Sequence, residues 1–490
     1  MNSLSLLTGF VLICLTAAAC ADGQPAQKRT SRLQSLGEVK ALEIKPRALK
    51  IRGWKTRNDT KVLFVRTTDL PMFDIHVSFA AGSARDGDRS GLAATTFSLL
   101  NEGVPGKDLS AVMATFDGLG AQWDMEIDHD RAMFSLRSLS DPAKRLPAIS
   151  LLTQILSEPL LSEERLAPVK HELRAALSAE QAEAGYQALQ RVKTLLAPDS
   201  PYSLPVYGTE SGLSAVTRAH VEDFHRRYYA ARHAQITLVG DLTVAQAQAI
   251  SLQISDALPT PPDAFLASAT ASPSALQTGH LELAQQQQTH IVFAQTSVPR
   301  RHADHAALYA AGQILGGGSN NRLMNELRHK RGRVYDVYGA NINWAGGAGL
   351  VTFTLQTGNS VSAGTAALVR DMLNEFLRDG PTTLELEHLK RRLANRNVLD
   401  SASNRQILAR LVEINRYDLP LDLDYTVQQV LRLTVADVKN AMDRHLSADR
   451  WVSVTAGATV EQQPLPEPEA APVSEADESM CRADTGFVAS

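Results

Sequence analysis

At 490 residues the chain exceeds what a single hydrophobic core holds, roughly 250–300 residues, so at least two domains are expected. Hydrophobic residues make up 44% and charged residues 21%, an ordinary globular profile that excludes a disordered or low-complexity protein. The net charge of -4 excludes the polybasic footprint of a nucleic-acid binder.

The chain opens on an apolar run, Leu4 to Leu15, followed by Ala17, Ala18 and Ala19 before Cys20. That layout predicts a secretory signal over residues 1–19 and export to the periplasm. Two processing outcomes stay open: cleavage to a soluble protein, or a lipoprotein-type cut that makes Cys20 the lipid-bearing N-terminus. No other stretch approaches the roughly 18 apolar residues of a spanning helix, so membrane attachment is expected through such a lipid or not at all. Only Cys14, Cys20 and Cys481 occur, which leaves the folded body no intrachain disulfide framework.

Beyond the leader, Leu63 to Arg66 and Asp74 to Phe79 alternate apolar and polar residues as half-buried strands do, and Leu92 to Leu100 reads as a helix. The order returns later, with strand His290 to Ala294, helix Ala306 to Leu315, strand Gly349 to Gln356 and helix Ser362 to Leu377. Thr217, Ala219 and Val221, with the run from Gln235 to Gly240, recur 217 residues on as Thr434, Ala436 and Val438, with Trp451 to Gly457. One offset held across a helix and the next strand signals duplication. More loosely, Lys170 and Leu173 correspond to Lys390 and Leu393. The predicted fold class is α+β: two tandem homologous domains, each a mixed or antiparallel sheet with helices packed on one side. The expected boundaries are 40–256 and 275–460, with a Pro/Ala/Ser-rich linker at 257–274 and a disordered acidic, Pro-rich tail at 461–490.

In the first copy, Pro201, Tyr202, Pro205, Gly208 and Thr209 precede Leu213, Thr217, Val221, Phe224, Tyr228, Tyr229, Gly240 and Asp241. The second copy carries Leu315, Gly316, Gly317, Gly318, Arg322, Leu323, Leu327, Arg328, Gly332 and Tyr335. These two blocks, in this order, resemble the insulinase and mitochondrial processing peptidase family over roughly residues 40–460. The resemblance implies two similar α+β domains facing each other, with two such chains often closing around a chamber. Gln288 matches a family glutamine at the start of the second domain.

Catalytic members of that family carry an inverted zinc motif, H-x-x-E-H, in which two histidines one helical turn apart bind zinc and the glutamate activates water. The matching lead-in here is Gly91, Leu92, Ala93, followed by Ala94, Thr95, Thr96, Phe97 and Ser98. Ala94 and Ser98 take the histidine positions and Phe97 that of the glutamate. Glu172 matches the third ligand, but one carboxylate on an amphipathic helix is more often solvated or ion-paired than a metal ligand. Among the thirteen histidines, His302 and His305 lie three apart at a predicted helix start. With Asp304 placed on another face and no further partner in sequence, a plain solvated helix start is the favoured reading. No catalytic residue, metal or cofactor is therefore expected in this chain.

In two-chain members of the family, the subunit without zinc lends an arginine and a tyrosine to the peptide bound near its partner's metal. Arg328 and Tyr335 match those positions, and a guanidinium and a phenol can both donate to a substrate carbonyl or a developing oxyanion. The alternative for Arg328 is a pair with Glu326 or a helix end, and for Tyr335 packing in a strand. Gly316, Gly317 and Gly318 match a flexible loop beside the substrate, and also read as a helix stop. The expected function is a non-catalytic, substrate-binding subunit of a heterodimeric zinc peptidase, paired with a zinc-bearing homologue with an intact H-x-x-E-H and acting on unfolded peptides. A peptide-binding or scaffold protein of the same fold, with no peptidase partner, is the alternative.

Overall fold

The structure, a computed structural model, describes residues 49–260, 276–318, 320–345 and 347–468. The expected leader, Cys20, Cys481, most of the linker and the tail from 469 lie outside the described residues.

The first half begins with strands β1 (Ile51–Lys55), β2 (Lys61–Arg66) and β3 (Met72–Phe79), then helix α1 (Leu92–Leu100). A short hairpin, β4 (Gly103–Val104) and β5 (Lys107–Asp108), leads through α2 (Leu109–Leu119) to β6 (Gln122–Ile127) and β7 (Ala132–Leu139). Helices α3 (Pro142–Ser157), α4 (Glu163–Ala182), α5 (Ala184–Leu196), α6 (Glu210–Ala215) and α7 (Arg218–Tyr228) precede β8 (Ala234–Gly240) and α8 (Val244–Ala257). The second half runs β9 (Gln277–Glu282), β10 (Gln288–Thr296), α9 (His305–Gly316), the single turn α10 (Arg322–Met324), β11 (Val334–Ile342) and β12 (Leu350–Gly358). Then come α11 (Ser362–Asp379), α12 (Thr383–Leu399), α13 (Asn404–Tyr417), α14 (Tyr425–Arg432), α15 (Val435–His445) and β13 (Val452–Gly457).

The strand orders are β1-β2-β8-β3-β7-β6 and β9-β13-β10-β12-β11. Each sheet contains one parallel pair, β2 with β8 and β9 with β13, and is otherwise antiparallel. Leaving out β1, the two orders superimpose strand for strand. The residues that repeat at the 217-residue offset occupy matching places. Thr217 and Thr434 cap α7 and α15, each in a reciprocal capping box, and Gly240 and Gly457 end the interior strands β8 and β13.

On one face of the first sheet, Phe73, Ile75, Val77 and Phe79 of β3 pack beneath α1, α3, α4, α7 and α8. Alternation predicts a half-buried strand, but the opposite face is covered too: β3 is buried from Phe73 onward. It is covered by α13 of the second half, whose Ile407, Leu411 and Ile414 pack on Leu63, Val65 and Val239. The arrangement is reciprocal. Helix α5 of the first half lays Ala184, Ala188 and Val192 on Val292, Ala294, Val452 and Val454 of the second sheet. Both helices repeat small or branched apolar residues every three or four positions, which gives one narrow stripe suited to a sheet surface. Polar bonds seat α13: Asn415 Nδ2 donates to Ile236 O at 3.1 Å and to Thr237 Oγ1 at 3.0 Å.

Two expected boundaries shift. Ala257 still belongs to α8, and Pro259 O accepts from Ala231 N at 3.0 Å, so the connection between the halves starts later than 257. Residues 461–468, expected to begin a disordered tail, lie against the second half: Gln463 N donates to Ser360 O at 2.6 Å and Arg331 to Pro466 O at 2.6 Å. No helix among the described residues is long and apolar enough to cross a membrane.

Candidate functional site

The helix that would carry the zinc motif is well formed. Gly91 precedes it with φ 101°, a left-handed conformation that favours glycine. The buried Asp86 carboxylate accepts from Gly91 N at 2.6 Å and Ala93 N at 2.7 Å, satisfying donors at the helix start. Burial pushes the Asp86 carboxyl up to about 7, against those same hydrogen bonds, which pull it down. Gly208, also at positive φ, closes on Gly91 so tightly that a Cβ there would collide with backbone. The glycine-threonine pair of the family block thus has a structural duty: it packs against the turn into α1, and Thr209 caps α6.

What the helix presents is not a metal site. Ala94 is fully buried, and the Phe97 ring lies 5.5 Å from Phe134, in an aromatic group with Trp123, Phe79 and Tyr229. Ser98 offers a single hydroxyl where an imidazole would be needed. Glu172 on α4 is largely exposed and sits 3.6 Å from Arg165, which itself bonds Glu102 at 2.6 Å. Its role is a surface ion pair. Among the described residues no set of three metal-ligating side chains includes any of these positions. A methyl, a benzyl and a hydroxymethyl group do not fit zinc, which needs three protein ligands in a catalytic site.

The second-half residues do come together. The backbone of Asn325–His329 takes a π turn, and Arg328 projects from it, exposed. Such turns insert an extra residue and are frequent at functional sites. Strand β11 is the edge of its sheet, and its register against β12 slips between Val334 and Val337. This bulge turns Tyr335 outward, to 73% exposure, and places the Arg328 guanidinium 5.0 Å above the Tyr335 ring. Neither the Glu326 pair nor strand packing is present. Glu326 pairs instead with Lys330 at 2.9 Å and Arg331 at 3.0 Å, and Tyr335 is not packed in the sheet.

Arg328 and Tyr335 border a cleft of ≈ 920 Å³, together with Gly317, Gly318, Tyr338 and Arg392. The three glycines divide their work. Gly316 is buried where a side chain would strike Phe353, so it lets the end of α9 sit close on the sheet. Gly317 and Gly318 stop the helix: Gly318 has φ 72°, and Arg392 donates to Gly317 O at 2.8 Å and to Gln313 Oε1 at 3.1 Å. Both the loop beside the cleft and the helix stop are therefore present. Gln288 is the exposed first residue of β10. The sequence reading missed Tyr338 and Arg392, whose only signal is alternation along β11 for the first and helical spacing along α12 for the second.

The chain resembles known proteins along most of its length. The family model described as the peptidase M16 inactive domain matches residues 215–393. A crystal structure of a peptidase M16 inactive domain from Pseudomonas fluorescens is 40% identical with TM-score 0.81, covering 85% of this chain and 100% of that one. A Helicobacter pylori protein called non-peptidase homolog YmxG is 25% identical over 402 residues, 78% of this chain and 88% of that relative. An uncharacterized zinc protease of Mycobacterium tuberculosis is 28% identical over 279 residues, 55% of this chain, which spans 62% of that relative. A Helicobacter pylori protease structure with TM-score 0.77 and 15% identity, covering 83% of this chain and 99% of its own, shares the fold. The chain belongs to the insulinase and processing-peptidase family, peptidase M16, and its residues 215–393 match that family's inactive-domain model.

Proposed function

We propose that this chain is the substrate-binding, non-catalytic subunit of a heterodimeric zinc peptidase in the periplasm, and that zinc resides in a homologous partner with an intact H-x-x-E-H. The observation that carries the proposal is the Arg328–Tyr335 pair, stacked and solvent-facing on an irregular edge strand beside a large cleft. An extended peptide laid along β11 gains main-chain hydrogen bonds from the strand edge, and its carbonyls fall within reach of a guanidinium and a phenol. Stacking keeps the two donors oriented before substrate arrives, so less side-chain freedom is lost on binding. The leader-like run from Leu4 to Ala19 supports the periplasmic assignment.

The test is reconstitution with a zinc-bearing homologue and an unfolded peptide. The chain alone is expected to be inactive, the mixture active and chelator-sensitive. Arg328→Ala and Tyr335→Phe in the mixture are each expected to lower turnover by about 10²-fold, the scale for losing one transition-state donor. Hydrolysis by the isolated chain would overturn the proposal. So would full turnover with both substitutions in place, which would reduce the pair to structure and favour a scaffold.

A further inference from the structure

We propose that His302, Asp304 and His445 form a binding site for a divalent transition metal such as Zn²⁺, in the second half of the chain and separate from the lost motif. One potential ligand atom from each of the three lies within 4.8 Å of the others. The segment ahead of α9 curls through two turns, with His302 N donating to Pro299 O at 2.9 Å and His305 N to His302 O at 3.0 Å. Asp304 N donates to His302 Nδ1 at 3.1 Å, which fixes that ring next to the Asp304 carboxylate. His445, the last residue of α15, brings Nε2 to 2.7 Å from Asp304 Oδ2. The two imidazoles meet edge to face with centroids 5.0 Å apart.

Two imidazoles and one carboxylate are a recognised zinc donor set; bonds of about 2.0–2.2 Å to one tetrahedral ion put ligand atoms roughly 3.3–3.6 Å apart, so atoms spread over up to 4.8 Å must draw together on binding. His302 is exposed, so its ring can turn towards the ion by giving up the hydrogen bond from Asp304 N. His305, the sequence neighbour considered for metal, is not part of the set: it is buried against Arg300 and Asn343. Asp304 is: it caps α9, and the turn ahead of the helix brings it beside His302. Arg444 already holds the carboxylate, with Nε 3.0 Å from Oδ2 and Nη2 2.7 Å from Oδ1. That contact, foremost, holds Asp304 down at about 2, so the carboxylate is anionic across the neutral range. The guanidinium both orients Asp304 and competes with an ion for it. A bound ion ties the start of α9 to the end of α15, and α9 leads directly to the glycines beside the cleft.

The experiment is calorimetric titration of the chelator-treated full chain with Zn²⁺ alone at neutral pH. One ion per chain is expected, with affinity lowered at least about 100-fold by His302→Ala and by His445→Ala. Arg444→Gln is expected to tighten binding, since it frees the carboxylate. Zn²⁺ is also expected to raise the melting temperature of the unaltered chain but not of the histidine variants, whose metal-free melts report folding separately. No saturable uptake, uptake unchanged in the histidine variants, or weaker binding in a folded Arg444→Gln chain would each overturn the proposal and leave a surface ion-pair network.

Discussion

Arg416 at the end of α13 reaches the first half of the chain and places Nη2 3.1 Å from Oδ2 of the buried Asp130. Asp130 joins both halves at once. Its other oxygen accepts from the Tyr202 hydroxyl, Ala345 N donates to Oδ2 at 3.0 Å, and Arg416 Nη1 also bonds Asp128 at 2.8 Å. Tyr202 in turn stacks on Trp344 with centroids 4.5 Å apart. Truncating one member of a buried ion pair strands its partners, so Asp130→Ala is expected to destabilise the chain by about 3–5 kcal/mol. Asp130→Asn, which keeps acceptor and shape, is expected to cost less. Urea denaturation of both variants checks this, and an Asp130→Ala chain within 1 kcal/mol of the parent would contradict it.

The exchange of α5 and α13 makes a second prediction. Leu411 is fully buried against strands that lie more than 150 residues earlier in the sequence, so Leu411→Ala should cost about 2–5 kcal/mol. Because each sheet is completed by a helix of the other half, the loss should appear in one cooperative transition. Hydrogen exchange is the sharper measurement: amides of β8 should lose protection along with those of α13. Protection lost in α13 alone would show that the crossing helix is peripheral.

Local order was plain in the sequence, and the long-range pairings were not. Alternation at 74–79 and helical spacing at 92–100 predict β3 and α1 because periodicity is a property of neighbouring residues. The same periodicity in α5 and α13 says that each has an apolar stripe but not which sheet receives it. Asp130 and Arg416 are 286 positions apart, and His445 is 141 from Asp304, separations at which residue type alone carries no contact information. The emptied zinc helix was legible because it is a loss of chemistry at known spacing. The Arg328–Tyr335 stack was legible only as two residue types. The π turn and the bulge that orient them have no signature beyond Gly332, which adopts φ 62° between them.

Restoring the motif's residues should not restore a site at no cost. Ala94 has no exposed surface, and an imidazole there must displace close-packed neighbours, at about 1–3 kcal/mol. Phe97→Glu removes a half-buried ring from Phe134 and puts a carboxylate in its place, which costs about 2 kcal/mol more. The Ala94→His, Phe97→Glu, Ser98→His chain is therefore expected to melt well below its parent without metal. Melting with and without added Zn²⁺ tests this. A metal-free triple variant as stable as the parent would mean that the aromatic group has not closed over the old site.

The face of the first sheet beneath α13 sets a pH limit on stability. His76 sits there with Nδ1 3.1 Å from Ser135 Oγ, and burial, reinforced by the positive charges of Arg131 and Arg416, lowers it from 6.5 to about 4. A depressed histidine favours the neutral ring in the folded state. Its contribution is complete above about pH 6.5 and is lost as pH falls towards 4. A difference of this size corresponds to about 3 kcal/mol. His129 and His305, also lowered to about 4 and chiefly by burial, act in the same direction. His76→Gln, whose amide can still bond Ser135, is therefore expected to flatten only part of the decline. Urea midpoints measured at about pH 7 and about pH 4.5 for the two chains give the answer, and an unaltered slope would mean that His76 keeps its ordinary affinity for protons.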